Sequence, residues 1–284
     1  MSKTQSNIIV TDSDLANAHG TIPVSMTNDL LFHILMQRNK RARKFLICSL
    51  LHLEPDKVKS VTVLNPISLK KEIDSKKYFL DVLVDLDDHT IINLELQVIN
   101  KGNWPERSLS YLSRTFDNLQ EGEGYINVRP VIHIGILNFT LFEDSPEFFA
   151  TYYVTNIKNH RIYSSKFRLS VLDLTQIDLA TDEDRAYHID QWAAFFKATT
   201  WEELNMLAQK NPYIKEAVRT VYRLTQKKKI RQLFDAREDQ IRCEKDMQIL
   251  RERAEQERDQ AVAENKLLRN LLKEHGINPD GTDK

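Results

Sequence analysis

From residue 27 onward, apolar positions recur three and four apart. Leu30, Leu31, Ile34 and Leu35 form one stripe and Phe45, Leu46, Leu50 and Leu51 another, which predicts two helices joined or kinked near residues 37–40, with Thr27 or Asn28 as the N-cap. Pro55 and Asp56 break the second helix, and a strand with a turn at Asn65 and Pro66 follows. The period then drops to two. Residues 78–98, YFLDVLVDLDDHTIINLELQV, hold Phe79, Leu80, Val82, Leu83 and Val84 in one apolar run and Ile91, Ile92, Leu94 and Leu96 in the next, around an acidic and polar interruption. That density of β-branched, aromatic and leucine residues predicts a hairpin of two buried strands. A helix beginning at or just after Pro105 and ending by Gly122 carries Leu109, Leu112, Phe116 and Leu119 on one stripe. Residues 130–142, PVIHIGILNFTLF, are the most strand-like run, apolar enough for a central strand covered on both faces.

Beyond residue 143 two further strand-like runs, 151–156 and 161–174, flank a turn at Asn159 and His160. Helices follow, with Trp192, Phe195, Phe196, Trp201, Leu204 and Leu207 on apolar faces, Thr200 and Glu203 spaced as a capping box, and Asn211-Pro212 opening the next helix. Between Pro212 and Gly276 there is neither Gly nor Pro, and charges alternate densely, which predicts a long helix. Its heptads place Leu233, Ala236, Met247, Leu250, Leu268 and Leu271 on a seam interrupted by Gln240, Glu257 and Glu264, so a dimerising helix, a self-packed helix and a lone charged helix all stay open.

The 284 residues are 41% hydrophobic, enough for a substantial core. Forty basic and forty-one acidic residues nearly cancel, so bulk charge gives no argument for nucleic acid and any such surface is local. The densest basic run is Arg38, Lys40, Arg41, Arg43 and Lys44, which reads either as a solvated helix face or as a phosphate-contacting patch. Cys48 and Cys243 lack metal-ligand spacing and read as reduced thiols. No apolar run reaches the length of a membrane span, and the first twenty residues lack a signal-peptide core. The expectation is a cytoplasmic protein of bacterial type, with no membrane partner.

What needs a reason is the acid content of the hairpin. Asp81 interrupts the first apolar run and Glu95 the second, with Gln97 one residue beyond. A buried, unpaired carboxylate is costly, so these acids have partners or bind a cation. The ordinary reading is an edge-strand pair salt-bridged to Lys76 or Lys77; the chemical reading is a Mg²⁺ site, with Asp81, Glu95 and the Leu96 carbonyl supplying part of an oxygen shell and Gln97 orienting water from the same strand face. Asp85, Asp87 and Asp88 read as a solvated turn. The histidines, among them His33, His52, His89, His133, His160, His188 and His275, show no zinc-type spacing, and no Gly-rich phosphate loop or G-x-S-x-G elbow is present.

The order helix, strand, strand, strand, helix, strand, with acids on the second and third strands, resembles the PD-(D/E)XK nuclease superfamily. More closely, the segments IPVSMTNDLLF (22–32), LDVLVDLDDHTIINLELQV (80–98), PERSLSYLSR (105–114) and RPVIHIGILNFTLF (129–142) resemble the PD-(D/E)XK nuclease family transposases, or recombination-promoting nucleases. The resemblance implies a restriction-endonuclease-like αβββαβ core with a mixed central sheet, an α/β fold, extended at its C-terminus by helices that end in the long charged one. It implies a Mg²⁺-dependent DNA endonuclease that promotes recombination, with Mn²⁺ able to substitute. Position by position, Asp81 matches the metal-binding aspartate and Glu95 the acid of the terminal triplet, while Gln97 stands where the superfamily has Lys, a replacement common in this family. Asp29 matches a recurring acid that helps hold metal or water, and Arg107 and Tyr111 match a recurring motif of the second core helix. His33 departs from a frequent Lys and leaves the role of that helix end open. The expected organisation is a flexible tail (1–21), a nuclease core with strand additions (22–180), a helical subdomain (181–225) and the long helix with its tail (226–284), through which a homodimer could form. The alternative is a weakly active or inactive nuclease fold that binds DNA or protein and oligomerises; an RNA substrate is open as well.

Overall fold

The computed structural model describes residues 10–66, 81–87 and 89–275. It divides into two units, Met1–Glu238 and Asp239–Lys284. Near the start of the first unit, α1 (Asp12–Ala16) is opened by a capping box between Thr11 and Asp14. Next come α2 (Asp29–Arg38), capped by the Asn28 side chain, and α3 (Lys40–Leu50), capped by Asn39. Asn39 therefore both ends one helix and begins the next, which is why the two apolar stripes are out of phase.

A six-stranded mixed sheet forms the centre, built from β1 (Val61–Val63), β2 (Val82–Leu86), β3 (Ile91–Gln97), β4 (Val131–Leu137), β5 (Phe149–Tyr153) and β6 (Phe167–Asp173), in the order β1-β2-β3-β4-β6-β5. The hairpin strands β2 and β3 are antiparallel, whereas β3, β4 and β6 run parallel. Between β3 and β4 the chain crosses over through α4 (Trp104–Phe116), with Pro105 in its first turn. All seven residues of β4 are buried, as expected of a strand covered on both faces.

The two faces differ. Val82, Val84, Ile92, Leu94, Leu96, Ile132, Ile134 and Ile136 point into the main core, against α2, α3 and the later helices α5 (Asp182–Ala186), α6 (Ile189–Lys197), α7 (Trp201–Lys210) and α8 (Pro212–Thr225). Trp192, Phe195, Phe196, Ile214 and Val221 belong to that same core, so residues 181–225 are not a separate subdomain but one wall of the sheet's layer. The opposite face is covered by α4, with Leu112 against Ile91 and Val131, and Trp104 against Leu137 and Val171. The inward stripe of α4 is thus Trp104, Ser108 and Leu112, and the predicted Leu109 is exposed.

Residues 10–21, expected within a flexible tail, are held in place. Asp12 pairs with Lys215 and Arg219, and Gly20 exchanges hydrogen bonds with the start of α7. Their polarity serves contacts to helices some two hundred residues away, which local periodicity does not reveal. Another departure concerns the long helix: α8 stops at Thr225 and α9 (Lys228–Glu274) begins after Lys227, without Gly or Pro at the break. Ile230 and Phe234 of α9 are buried in the first unit.

In the second unit, α9 carries side chains that are half-buried or exposed, Leu250, Leu268 and Leu271 among the exposed ones. Contacts four residues apart, such as Gln248 to Glu252 at 2.9 Å and Arg269 to Asn265 at 3.0 Å, support the helix along its own surface. No helix among the described residues is long and apolar enough to cross a membrane.

Arg43 shows how far a charged residue can be from solvent here. It is 4% exposed, donating through Nε and Nη2 to the Val61 carbonyl at 3.0 and 2.7 Å and through Nη1 to that of Met36 at 2.6 Å. It ties α2 to β1 and is unavailable to phosphate, which corrects its place in the basic patch. Arg43→Met, which keeps the bulk but strands those carbonyls, is expected to cost about 2–4 kcal/mol in urea unfolding and to leave any DNA affinity unchanged.

Candidate active site

The acids of the hairpin meet at one end of the sheet. Val82 lies opposite Leu94 in the β2–β3 register, so one residue further back Asp81 stands opposite Glu95. Glu95 shares its face with Ile91, Asn93 and Gln97, the face under α4.

From α4, Arg107 reaches down to Glu95 Oε1, with Nε at 2.9 Å and Nη2 at 2.6 Å. Glu95 is 3% exposed, and its Oε2 has no hydrogen-bond partner among the described residues. His133 Nε2 stands 3.8 Å from that oxygen, beyond hydrogen-bond reach. His133 comes from β4, where it pairs in register with Asn93, and its Nδ1 lies 3.1 Å from the Asn93 amide nitrogen. An amide nitrogen only donates, so His133 Nδ1 accepts and the ring proton sits on Nε2, on the Glu95 side. Burial, reinforced by the Arg107 charge, pushes the His133 pKa down to about 4 and keeps the ring neutral.

Burial acts on the two carboxyls in the other direction. Asp81 is pushed up to about 6, by burial and by the charge of Asp29, against the pull of Arg107. Glu95 is pushed up to about 7, by burial first and then by Asp81, again against Arg107. Two acids facing each other under low dielectric thus resist carrying both charges unless a cation joins them. Tyr111, one turn along α4 from Arg107, takes the guanidinium over its ring at 5.2 Å, and burial and Asp81 raise its phenol.

The other candidates are distributed around this pair. Gln97 is on the same strand face as Glu95, but its amide nitrogen donates to the Ile99 carbonyl at 2.9 Å. The Gln97 backbone carbonyl accepts from the backbone amide of Asn138, in the segment after β4, at 3.0 Å; the alternation of ladder bonds then turns the Leu96 carbonyl the other way, toward the Asp81 end of β2. Asp29, first residue of α2, is bound by Arg237 of α9, with Nε at 2.8 and 3.1 Å from its two oxygens. Of the basic run, Arg38, Lys40 and Arg41 are exposed, Lys44 half-buried and Arg43 buried. Asp85, read as a solvated turn residue, is instead paired with Arg129, and Asp87 accepts from the Lys59 amide. Asp88, Lys76 and Lys77 lie outside the described residues, and the salt-bridge reading with them.

Asn93 and His133 were not singled out by sequence. Asn93 lies two residues before Glu95, and that spacing on a strand was the available signal; His133 becomes visible only once β3 and β4 are known to run parallel in this register.

Among the described residues no three His, Cys, Asp or Glu side chains form a metal-binding group. The donor set is two carboxylates and a carbonyl, which suits a hard cation that retains waters rather than zinc. The unpartnered Glu95 Oε2 and the raised Asp81 and Glu95 carboxyls fit such an ion.

Fold and site together define an α/β protein whose mixed sheet sets a buried acid, Glu95, opposite a half-buried one, Asp81, beneath an arginine-bearing helix. A sequence profile of the PD-(D/E)XK nuclease family transposases matches residues 26–254, and the chain belongs to that family. Neither a curated protein nor a solved structure matched it.

Proposed function

We propose that the chain is a divalent-metal-dependent endonuclease that cuts DNA in a transposase-like recombination reaction, on a restriction-endonuclease-like core. The observation that carries this reading is the Asp81–Glu95 pair, set face to face by the β2–β3 register, with both carboxyls raised toward neutrality. Asp81, Glu95 and the Leu96 carbonyl are the residues that would hold Mg²⁺, or Mn²⁺ in its place. When bound, such an ion stabilises charge on a phosphodiester in the transition state and lowers the pKa of a coordinated water.

The chain's own residues have separate parts. Arg107 fixes Glu95 by one oxygen and leaves the other available, and its charge lies where an anionic backbone would approach. Gln97, with one amide hydrogen engaged by Ile99, retains its carbonyl oxygen and a second hydrogen to orient a water; unlike Lys, it can neither carry charge nor act as a base. Arg38, Lys40, Arg41 and Lys44 are the basic side chains proposed for contact with the DNA backbone, and a cytoplasmic setting follows from that substrate.

The test is plasmid cleavage in Mg²⁺ by wild type and Asp81→Ala. Loss of a ligand is expected to lower the rate on the order of a hundredfold or more; equal cleavage by the two proteins overturns the reading. A binding-module reading has its own observation, an open and almost wholly apolar cleft of about 230 Å³ between α4 and β5, lined by Trp104, Leu109, Phe142, Tyr152 and Val154. A pure binding module needs no metal, so calorimetric titration of Mn²⁺ into wild type and Glu95→Ala separates the two.

A further inference from the structure

The sheet has two unlike edges. β1 supplies one with three residues, and β5 supplies the other, with no strand on its outer side among the described residues. Sheets ordinarily guard a free edge with charge or proline; β5 reads FATYY and has neither, and Thr151 and Tyr152 are exposed. Its outward groups can be identified. The Phe148 carbonyl accepts from the Asp173 amide of β6 at 2.8 Å, and further along the Val154 carbonyl accepts from the Tyr163 amide, in the connection leading to β6, at 2.8 Å. Successive residues of an antiparallel strand turn their N–H and C=O to opposite sides, so Phe149, Thr151 and Tyr153 present theirs at the open edge. That set is self-complementary. A second β5 laid antiparallel about a two-fold axis at Thr151 pairs Thr151 with itself and Phe149 with Tyr153 in both directions, which makes about six backbone hydrogen bonds.

The same axis matches what flanks the strand. The chain enters β5 through residues 143–147, EDSPE, which hold Glu143, Asp144 and Glu147 and no basic residue; it leaves through residues 154–163, VTNIKNHRIY, which hold Lys158, His160 and Arg161 and no acid. Every residue of both segments is exposed. The second segment is a hairpin with its own backbone bonds: the Asn156 amide donates to the Arg161 carbonyl at 2.9 Å, and Thr155 bridges to Ile162. Antiparallel pairing sets the exit of one strand beside the entry of the other, so each basic hairpin meets an acidic loop of the second copy. Apolar surface is matched as well. Ile157 and Tyr163 are 90% and 87% exposed, and Tyr152 and Val154 line the apolar cleft beside α4. The pairing stands Tyr152 of the second copy opposite Ala150, on the strand face that Ala150 shares with Tyr152 and Val154.

We infer that β5 is the contact strand of a two-fold dimer, in which two copies of the chain join their sheets edge to edge and each hairpin 154–163 lies against the acidic loop 143–147 of the other copy. The inference does not draw on the metal site, and it names a contact other than the α9 seam that the heptads single out.

The test is sedimentation velocity of the full chain over a range of concentrations, with folding checked by circular dichroism. Wild type is expected to dimerise, with a dissociation constant that rises with salt. Lys158→Glu/Arg161→Glu, on exposed side chains, sets like charges together and is expected to weaken the dimer at least about tenfold; adding Glu143→Lys/Asp144→Lys is expected to restore it to within about threefold of wild type. Thr151→Pro removes an outward amide while leaving the ladder to β6 in place, and is expected to weaken the dimer by about tenfold as well. If that variant does not fold, the charge variants decide. A monomeric wild type, a dimer that charge reversal leaves unchanged, a reversal that the loop exchange does not restore, or a folded Thr151→Pro dimer of wild-type strength each overturns the inference.

Discussion

Glu95→Gln is expected to leave plasmid DNA uncut where wild type cuts it, with a rate loss on the order of a thousandfold, and to flatten the pH dependence of the metal-free protein's stability. The sign follows from burial. Unfolded, Glu95 loses its proton near its ordinary value of 4.5; folded, it keeps the proton up to about 7. Between those values the native state binds more protons than the unfolded state, so stability falls as pH rises, and above 7 the full penalty applies. For Glu95 it is on the order of 2 to 3 kcal/mol, or roughly 5–10 °C in midpoint for a chain of this size. Asp81, raised to about 6, acts in the same direction. Metal-free wild type is therefore expected to melt lower at pH 8 than at pH 5, and Mn²⁺ to recover that loss at pH 8. In Glu95→Gln the slope becomes shallower and Mn²⁺ gives no recovery. Differential scanning calorimetry at the two pH values reads both effects; a wild type that is more stable at pH 8 without metal contradicts the argument.

Gly135→Ala is expected to lower stability by about 3 kcal/mol or more, even though Ala adds a single methyl group. A Cβ at Gly135 would stand 2.1 Å from Trp104 Cζ2 and 2.8 Å from Cη2, with the indole itself wedged between Leu137 and Val171. Trp104 is 3% exposed and begins α4, so the ring cannot yield without displacing the helix that carries Arg107. Activity is expected to fall along with the thermal midpoint. Trp104→Leu in the same chain removes the atoms of closest approach, and the double variant is expected to be more stable than Gly135→Ala alone. Equal midpoints for wild type and Gly135→Ala would show that the indole can move aside.

The hairpin, the N-caps at Asn28 and Thr200 and the buried strand 131–137 were legible because each rests on local periodicity or on a side chain that bonds its own backbone. The opposition of Asp81 and Glu95 could be approached the same way, since a turn at known acids fixes the register to within a residue or two. What local pattern does not carry is partnership across the chain. Arg43 reads as one charge among five, yet its carbonyl acceptors lie on α2 and β1. Leu109 fits the helical stripe by spacing, but α4 meets the sheet through Trp104 because Gly135 leaves room for a ring there. His133 reads as a scattered histidine until the parallel β3–β4 pairing brings it beside Asn93 and Glu95. The polar residues 10–21 read as a tail because their partners, Lys215 and Arg219 among them, are so distant in sequence.

The contacts between the N-terminus of α2 and the start of α9 also bear on when the fold becomes complete during synthesis. Asp81, Glu95 and Arg107 emerge from the ribosome close together, but Asp29 waits 208 residues for Arg237, and Asn28 waits 206 for the Phe234 carbonyl. Until then the N-terminus of α2 lacks those partners. Contacts of such separation form last and slowly. A nascent chain thus carries Asp81, Glu95 and Arg107 long before the contacts between α2 and α9 can form.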